Sequence, residues 1–306
     1  MAGATGLLGR PLAGALAAEG HAVLVLTRQT ATAPPGTLPA AGRVTAAQWR
    51  PDGTAGAWAA GVDGADIVVN LAGESIAARR WSAAHKARLV ESRLDATRSL
   101  VAAIAGAGRP PRLLLSSSAT GYYGDRGEEV LSEDSTPGSD FLADLCVRWE
   151  REAARAASAR TRVACVRTGI VLDPGGGALA RMLPPFKAFV GGPLGSGRQY
   201  MSWIHHHDWQ ALVRWLVAHE SADGPMNATA PEPVTNADFS RALGRALGRP
   251  AFLPAPAVAL RLLLGEMAGP LLLASQRVLP ARPQAFGFRF SYPDLDSALS
   301  SLFGRR

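Results

Sequence analysis

Apolar positions along this chain alternate between two textures. Short β-type runs at 22–26, 43–49, 66–71, 113–115 and 163–172 are separated by stretches of helical character at 7–19, 82–107 and 141–157. Buried strands alternating with helices are the pattern of a parallel sheet covered on both faces, so the predicted fold class is α/β with a doubly wound sheet. The regular alternation holds as far as Pro174 and then changes. Gly/Pro-rich loops around 191–197, a helix at 208–219 and the run Asn227-Ala228-Thr229-Ala230-Pro231 read as a region where a substrate lobe would be built. Residues 250–306 read as helical, with a short aromatic strand at 286–290, and no internal repeat is found. The predicted division is 1–249, the sheet domain with its loops, and 250–306, a small C-terminal domain.

The chain opens Met1-Ala2-Gly3-Ala4-Thr5-Gly6-Leu7-Leu8-Gly9, three glycines at three-residue spacing leading into the first helix. Such a turn presents bare backbone N–H groups at a helix N-terminus, and the partial positive charge there favours a pyrophosphate. An ordinary tight turn capping a helix carries the same spacing; the strand that follows at 22–26 adds weight to the dinucleotide reading. A turn of that kind follows the central strand of its sheet, yet only Met1 and Ala2 precede Gly3. The expectation is that the native chain begins several residues upstream of Met1, or that the sheet lacks a central strand.

Composition narrows the function classes. A chain of 306 residues that is 47% hydrophobic and 19% charged can bury a sizeable core. The net charge is +7, but the basic residues are scattered, with no run of five or six and no interleaved aromatics, so nucleic acid is not an expected partner. Cys146 and Cys165 read as small buried thiols rather than a disulfide pair. The apolar stretch 255–274 is broken by Arg261, Glu266 and Pro270 and does not read as a membrane span. With no export signal recognised, a cytoplasmic location is expected. His205-His206-His207-Asp208 lacks the i, i+4 spacing of a helical zinc pair, and no metal is expected.

Thr27-Arg28, directly after the strand at 22–26, stands where the ribose of an adenine dinucleotide lies. An Asp or Glu there favours NAD, whereas an arginine favours the 2'-phosphate of NADP; an exposed arginine of no such role is the other reading. Small residues in Asn70-Leu71-Ala72-Gly73-Glu74 leave room for an adenosine against the backbone. Arg93 in the Ser92-Arg93 pair is the helix arginine favoured to reach back to the ligand. Ser116-Ser117-Ser118-Ala119-Thr120-Gly121-Tyr122-Tyr123-Gly124 gathers hydroxyls and phenols beyond a strand's carboxyl end, where ligands of open parallel sheets bind.

Taken together with Arg80-Trp81, Trp149-Glu150, Arg167-Thr168-Gly169-Ile170-Val171-Leu172, Gly191-Gly192-Pro193-Leu194-Gly195-Ser196-Gly197 and Trp203-Ile204-His205, these motifs resemble the extended short-chain dehydrogenase/reductases. The resemblance is closest to an atypical epimerase-like branch with a small C-terminal domain of unknown function, and it covers nearly the whole chain. It implies a Rossmann-type domain binding NADP(H). Gly3, Thr5, Gly6, Leu7 and Leu8 would hold the pyrophosphate and Thr27 and Arg28 the adenosine end. Leu71, Ala72, Gly73, Arg93, Ser116 and Val171 would lie along the cofactor.

Catalysis does not carry over so directly. The family's active members use a Tyr-x-x-x-Lys pair, in which the lysine lowers the pKa of a phenol that ordinarily titrates near 10. Lys86 and Lys187 are the only lysines, and the residues four before them are Ser82 and Leu183. The helix that would bear the pair reads Phe141-Leu142-Ala143-Asp144-Leu145-Cys146. Ser118 and Tyr123 are the candidate catalytic residues, with Tyr123 drawing on another cation. A reaction needing little acid/base help is a second reading. The expected function is an NADP(H)-dependent oxidoreductase or epimerase-like enzyme acting on a small molecule, and the alternative is a non-catalytic NADPH-binding sensor or interaction protein.

Overall fold

In the computed structural model, which describes residues 1–28 and 43–304, the alternation is built in sequence order. Helix α1 (Gly9–Ala18) leads to β1 (Val23–Thr27), β2 (Val44–Gln48), β3 (Ile67–Asn70), α2 (Ala83–Ala105) and β4 (Leu113–Ala119). Then come β5 (Val130–Leu131), α3 (Phe141–Ala154), β6 (Arg162–Thr168), β7 (Ile170–Leu172), α4 (Gly177–Lys187), β8 (Tyr200–Met201) and β9 (Trp203–His205). The chain continues through α5 (His206–Ala218), β10 (Gly224–Ala228), β11 (Val234–Thr235), α6 (Asn236–Leu247), α7 (Ala257–Leu264), β12 (Arg277–Val278), α8 (Ala281–Ala285) and α9 (Leu295–Phe303).

The main sheet is parallel and runs β2-β1, then Ala2, then β3-β4-β6-β10. Strands β1 and β3 do not pair with each other. Ala2 sits between them, bridging Leu26 on one side and Asn70 on the other. The Ala2 amide donates to Val69 O at 2.9 Å, Leu71 N donates to Ala2 O at 3.0 Å, and Leu26 N donates to Met1 O at 2.8 Å. The central position is held by Met1 and Ala2 alone, a bridge in place of a full strand, and the turn at Gly3 is nevertheless anchored on both sides.

Each face of the sheet is covered because the helices carry apolar stripes. Leu12 and Leu16 of α1 join Trp209, Leu212 and Leu216 of α5 over Val25, Leu115 and Val166. On the opposite face Ala96 and Leu100 of α2 and Ala153 of α3 close over Leu26, Val68 and Leu114. Side chains fix several helix starts: Ser82 accepts from His85 N, Asp140 from Ala143 N and Thr235 from Asp238 N.

Two elements differ from the sequence reading. The run 163–172 is two strands, because at Gly169 the chain passes the Ser202 carbonyl so closely that a Cβ would lie 2.6 Å from its oxygen. Strand β7 thereby leaves the main sheet and pairs with β9. The aromatic run 286–290 forms no strand; Phe288 and Phe290 meet edge to face at 4.9 Å and pack beside Trp215 instead. The C-terminal residues thread back through the fold, with β12 pairing β5 and Leu295, Ala298 and Leu299 of α9 sharing a core with Trp203 and Phe239.

Candidate functional site

Parallel strands place their carboxyl ends on one edge, and the residues singled out in the sequence gather there. The turn between Ala2 and α1 is built on close approach. Gly3 takes φ +75°, and a Cβ on it would lie 2.5 Å from the carbonyl carbon and oxygen of Leu71, while a Cβ on Gly9 would lie 2.2 Å from Gly3 O. Only glycine fits at either place. Gly6 N donates to Gly3 O at 3.1 Å. Leu8, at the cap position of α1, makes no side-chain cap bond, and the Leu7 and Leu8 amides find no acceptor among the described residues. That leaves N–H groups at a helix N-terminus with nothing to bind, a place for an anion.

Around the turn, Thr27 ends β1, with its carbonyl accepting from Trp49 N, and Arg28 follows, exposed. The loop into which Arg28 leads lies outside the described residues. Ala72 N donates to Asn70 Oδ1 at 3.2 Å, which curls the chain after β3. Gly73 gives way to Arg93: a Cβ there would meet the arginine side chain at 3.2 Å. The guanidinium donates to Leu89 O at 3.0 Å and lies 5.2 Å from the Trp149 ring. Burial holds its pKa below the ordinary arginine value, and no carboxylate lies within ion-pair distance among the described residues. A desolvated cation whose acidic neighbour, Glu74, stays beyond ion-pair distance fits a phosphate-bearing group. Leu7 reaches the β7–α4 loop at Gly176 and Gly177, and half-buried Val171 packs on the main core. Ser116 is fully buried within β4, where it faces Asn70, at the carboxyl end of β3, in the register.

Ser118 and Tyr123 belong to one network, and that network is closed. Ser118 donates to Glu150 Oε1 at 2.6 Å. Glu150 receives Arg167 through Nε and NH2, both at 2.8 Å, and Arg167 NH1 donates to the Tyr123 hydroxyl at 2.9 Å. The hydroxyl in turn donates to Asn227 Oδ1 at 2.7 Å. Tyr123 is wholly inaccessible, and burial pushes its pKa up to about 12 although the Arg167 charge pulls the other way. Its proton is held, not poised. Arg126, the nearest cation in sequence, is turned away into a two-bond pair with Glu129. The cation that touches Tyr123 is Arg167, whose guanidinium also lies 3.5 Å from the ring centroid of half-buried Tyr122.

Sequence reasoning gave Glu150, Arg167 and Asn227 no role, although each stands in a quoted motif. The signal available was an acidic residue on a buried helix face and an arginine inside an apolar strand, each too costly to bury unpaired. The helix that would bear the missing pair opens with apolar Phe141, which packs edge to face on Trp81 at 5.2 Å. His205 is a cap: its Nδ1 accepts from His207 N at 3.1 Å, and its ring stacks on Tyr292 at 4.0 Å. Cys146 and Cys165 are buried free thiols, with pKa values that burial pushes up to about 12.

A glycine turn at a helix start, on the carboxyl edge of a parallel sheet whose strand order reverses at the centre, defines a Rossmann-type nucleotide-binding protein. The chain belongs to the NAD dependent epimerase/dehydratase family, whose model matches residues 1–228, and a domain of unknown function, DUF1731, matches residues 255–302. It is 42% identical over 299 residues to the epimerase family protein Mb2239 of Mycobacterium bovis, covering 98% of this chain and 95% of that protein. Among solved structures, human epimerase family protein SDR39U1 (isoform 2) with NADPH superposes at a TM-score of 0.87, with 34% identity over 98% of this chain and 97% of that one. The nucleoside-diphosphate sugar epimerase of Corynebacterium glutamicum, also 34% identical, gives a TM-score of 0.76 over 99% of this chain and 57% of that one.

Proposed function

We propose that this chain is an NADP(H)-dependent oxidoreductase or epimerase-like enzyme acting on a small molecule. The observation that carries the reading is the close approach of Gly3 to Leu71 beneath the uncapped start of α1. In this reading the Gly3, Thr5, Gly6, Leu7 and Leu8 stretch holds the pyrophosphate. Thr27 and Arg28 hold the adenosine end, with the arginine on the 2'-phosphate. Arg93 gains a counter-charge at ion-pair distance, and Leu71, Ala72, Gly73 and Val171 line the cofactor. The human relative solved with NADPH supports the choice of cofactor. Bound NADP(H) supplies a hydride donor or acceptor.

Ser118 and Tyr123 do not move protons in this scheme, because their hydroxyls are committed to Glu150, Arg167 and Asn227. The chemistry that suits such a site needs little acid/base help, as in hydride transfer to an activated alkene. The same closed network, with no Tyr-x-x-x-Lys pair in the chain, also favours a second reading, an NADPH-binding sensor without turnover. Oxidation of NADPH in the presence of small enones separates the two.

Titration with NADPH and NADH tests the cofactor assignment. Wild-type protein is expected to prefer NADPH, and Arg28→Ala to shrink that preference roughly tenfold, the size of one lost charge-assisted contact. An unchanged ratio would remove Arg28 from the site, and binding of neither nucleotide would sink the reading.

A further inference from the structure

Among the described residues, most of the exposed large apolar side chains fall in 189–190 and 252–263. Helix α7 has no buried residue, and Val258, Leu262 and Leu263 stand 67%, 75% and 69% exposed. Immediately before it come Phe252 and Leu253, 70% and 44% exposed. The 252–255 stretch lies along the loop after α4: Leu253 N donates to Gly191 O at 3.3 Å and Ala255 N to Pro193 O at 2.9 Å. That loop brings exposed Phe189 and Val190 into the same surface, with Arg249 lying 4.5 Å from the Phe189 ring. Seven large exposed apolar side chains thus stand on three neighbouring segments.

Cations flank the patch. Lys187, Arg249 and Arg261 are exposed, and none has a carboxylate within ion-pair distance among the described residues. Arg241 and Arg245 join Arg249 and Phe252 along a shallow groove at its rim. The patch therefore calls for an apolar phase bordered by negative charge. A second copy of this chain is a poor match, since a two-fold contact through the patch brings together two surfaces of the same positive charge. Apart from Phe252 at the groove, the side chains project outward, and a fluid surface receives such projections without matching holes. We infer that this face adsorbs to a bilayer bearing anionic headgroups, the apolar side chains entering the interface and Lys187, Arg249 and Arg261 meeting the headgroup phosphates. No helix among the described residues is long and apolar enough to cross a membrane, and adsorption requires none.

Co-sedimentation of the full chain with phosphatidylcholine vesicles, with and without phosphatidylglycerol, tests this. Binding is expected to be roughly tenfold tighter with phosphatidylglycerol present and to weaken as salt is raised. Leu262→Asp and the double variant Arg249→Ser/Arg261→Ser, all at exposed positions, should each lose roughly tenfold in binding while keeping the wild-type melting temperature. No binding, equal binding to both vesicles, or variants that bind as wild type would overturn the inference. So would a concentration-dependent dimer, in analytical ultracentrifugation, that Leu262→Asp abolishes while vesicles remain unbound.

Discussion

The Tyr123 hydroxyl gives one hydrogen bond and takes one inside a region closed to water. Replacing it with hydrogen leaves Asn227 Oδ1 without its donor and Arg167 NH1 with only the Glu133 carbonyl. Tyr123→Phe should therefore cost about 1–3 kcal/mol of stability, the penalty of a buried polar group left short of a partner. Urea unfolding checks the cost. NADPH affinity should stay within about twofold of wild type, since the residue lies outside the glycine turn; a large loss of affinity would place Tyr123 against the cofactor. Its position after β4 was readable from the chain, whereas its partners were not. Arg167 stands 44 residues away and Asn227 stands 104 away, and no local pattern encodes such pairings. Gly3 was easier to read, because the need for bare amides and a missing Cβ is local to the turn.

At the scale of the element, helix α5 shows a cap that also senses acid. Burial lowers the His205 pKa from 6.5 to about 4, and the charges of neighbouring His206 and His207 add to the effect. The unfolded chain takes up this proton near 6.5 and the folded chain only near 4, so falling pH favours the unfolded state across that window. The stability is intact above about pH 6.5 and is progressively lost towards pH 4. Glu133 works in the opposite sense, since burial raises its pKa and protonation there favours the fold. His205→Asn keeps a side-chain acceptor at the cap and removes the titration, so its melting temperature should fall less between pH 7 and pH 4 than that of wild type. An identical fall in both proteins would place the acid sensitivity elsewhere. The sequence shows three histidines and an aspartate in a row, and only the fold shows that the first of them caps the helix the others begin.

For the whole molecule, the sequence predicted a C-terminal helical appendage, and the structure shows a strap. The buried carboxylate of Asp208, at the start of α5, accepts from Ser291 N at 2.9 Å and Tyr292 N at 2.8 Å. Asp208→Ala orphans both amides and should cost about 3 kcal/mol. Limited proteolysis should then release the segment beyond α8 well before the sheet domain is cut; simultaneous loss of both would show that the strap is not a separable unit. The strap was illegible because its attachments join distant positions: Ser275 N donates to Asp125 Oδ1 across 150 residues, and Arg282 N to Glu133 Oε2 across 149. That separation also bears on the order in which the chain is made. A polypeptide folding as it leaves the ribosome can complete its parallel sheet once β10 has emerged, yet β5 then has no partner until β12 follows. During that interval Leu131 lies open, and the acceptors on Asp125 and Glu133 wait for donors still to be translated. The nascent chain is most vulnerable to aggregation, and most in need of a chaperone, between the birth of its sheet and the arrival of the strap that closes it.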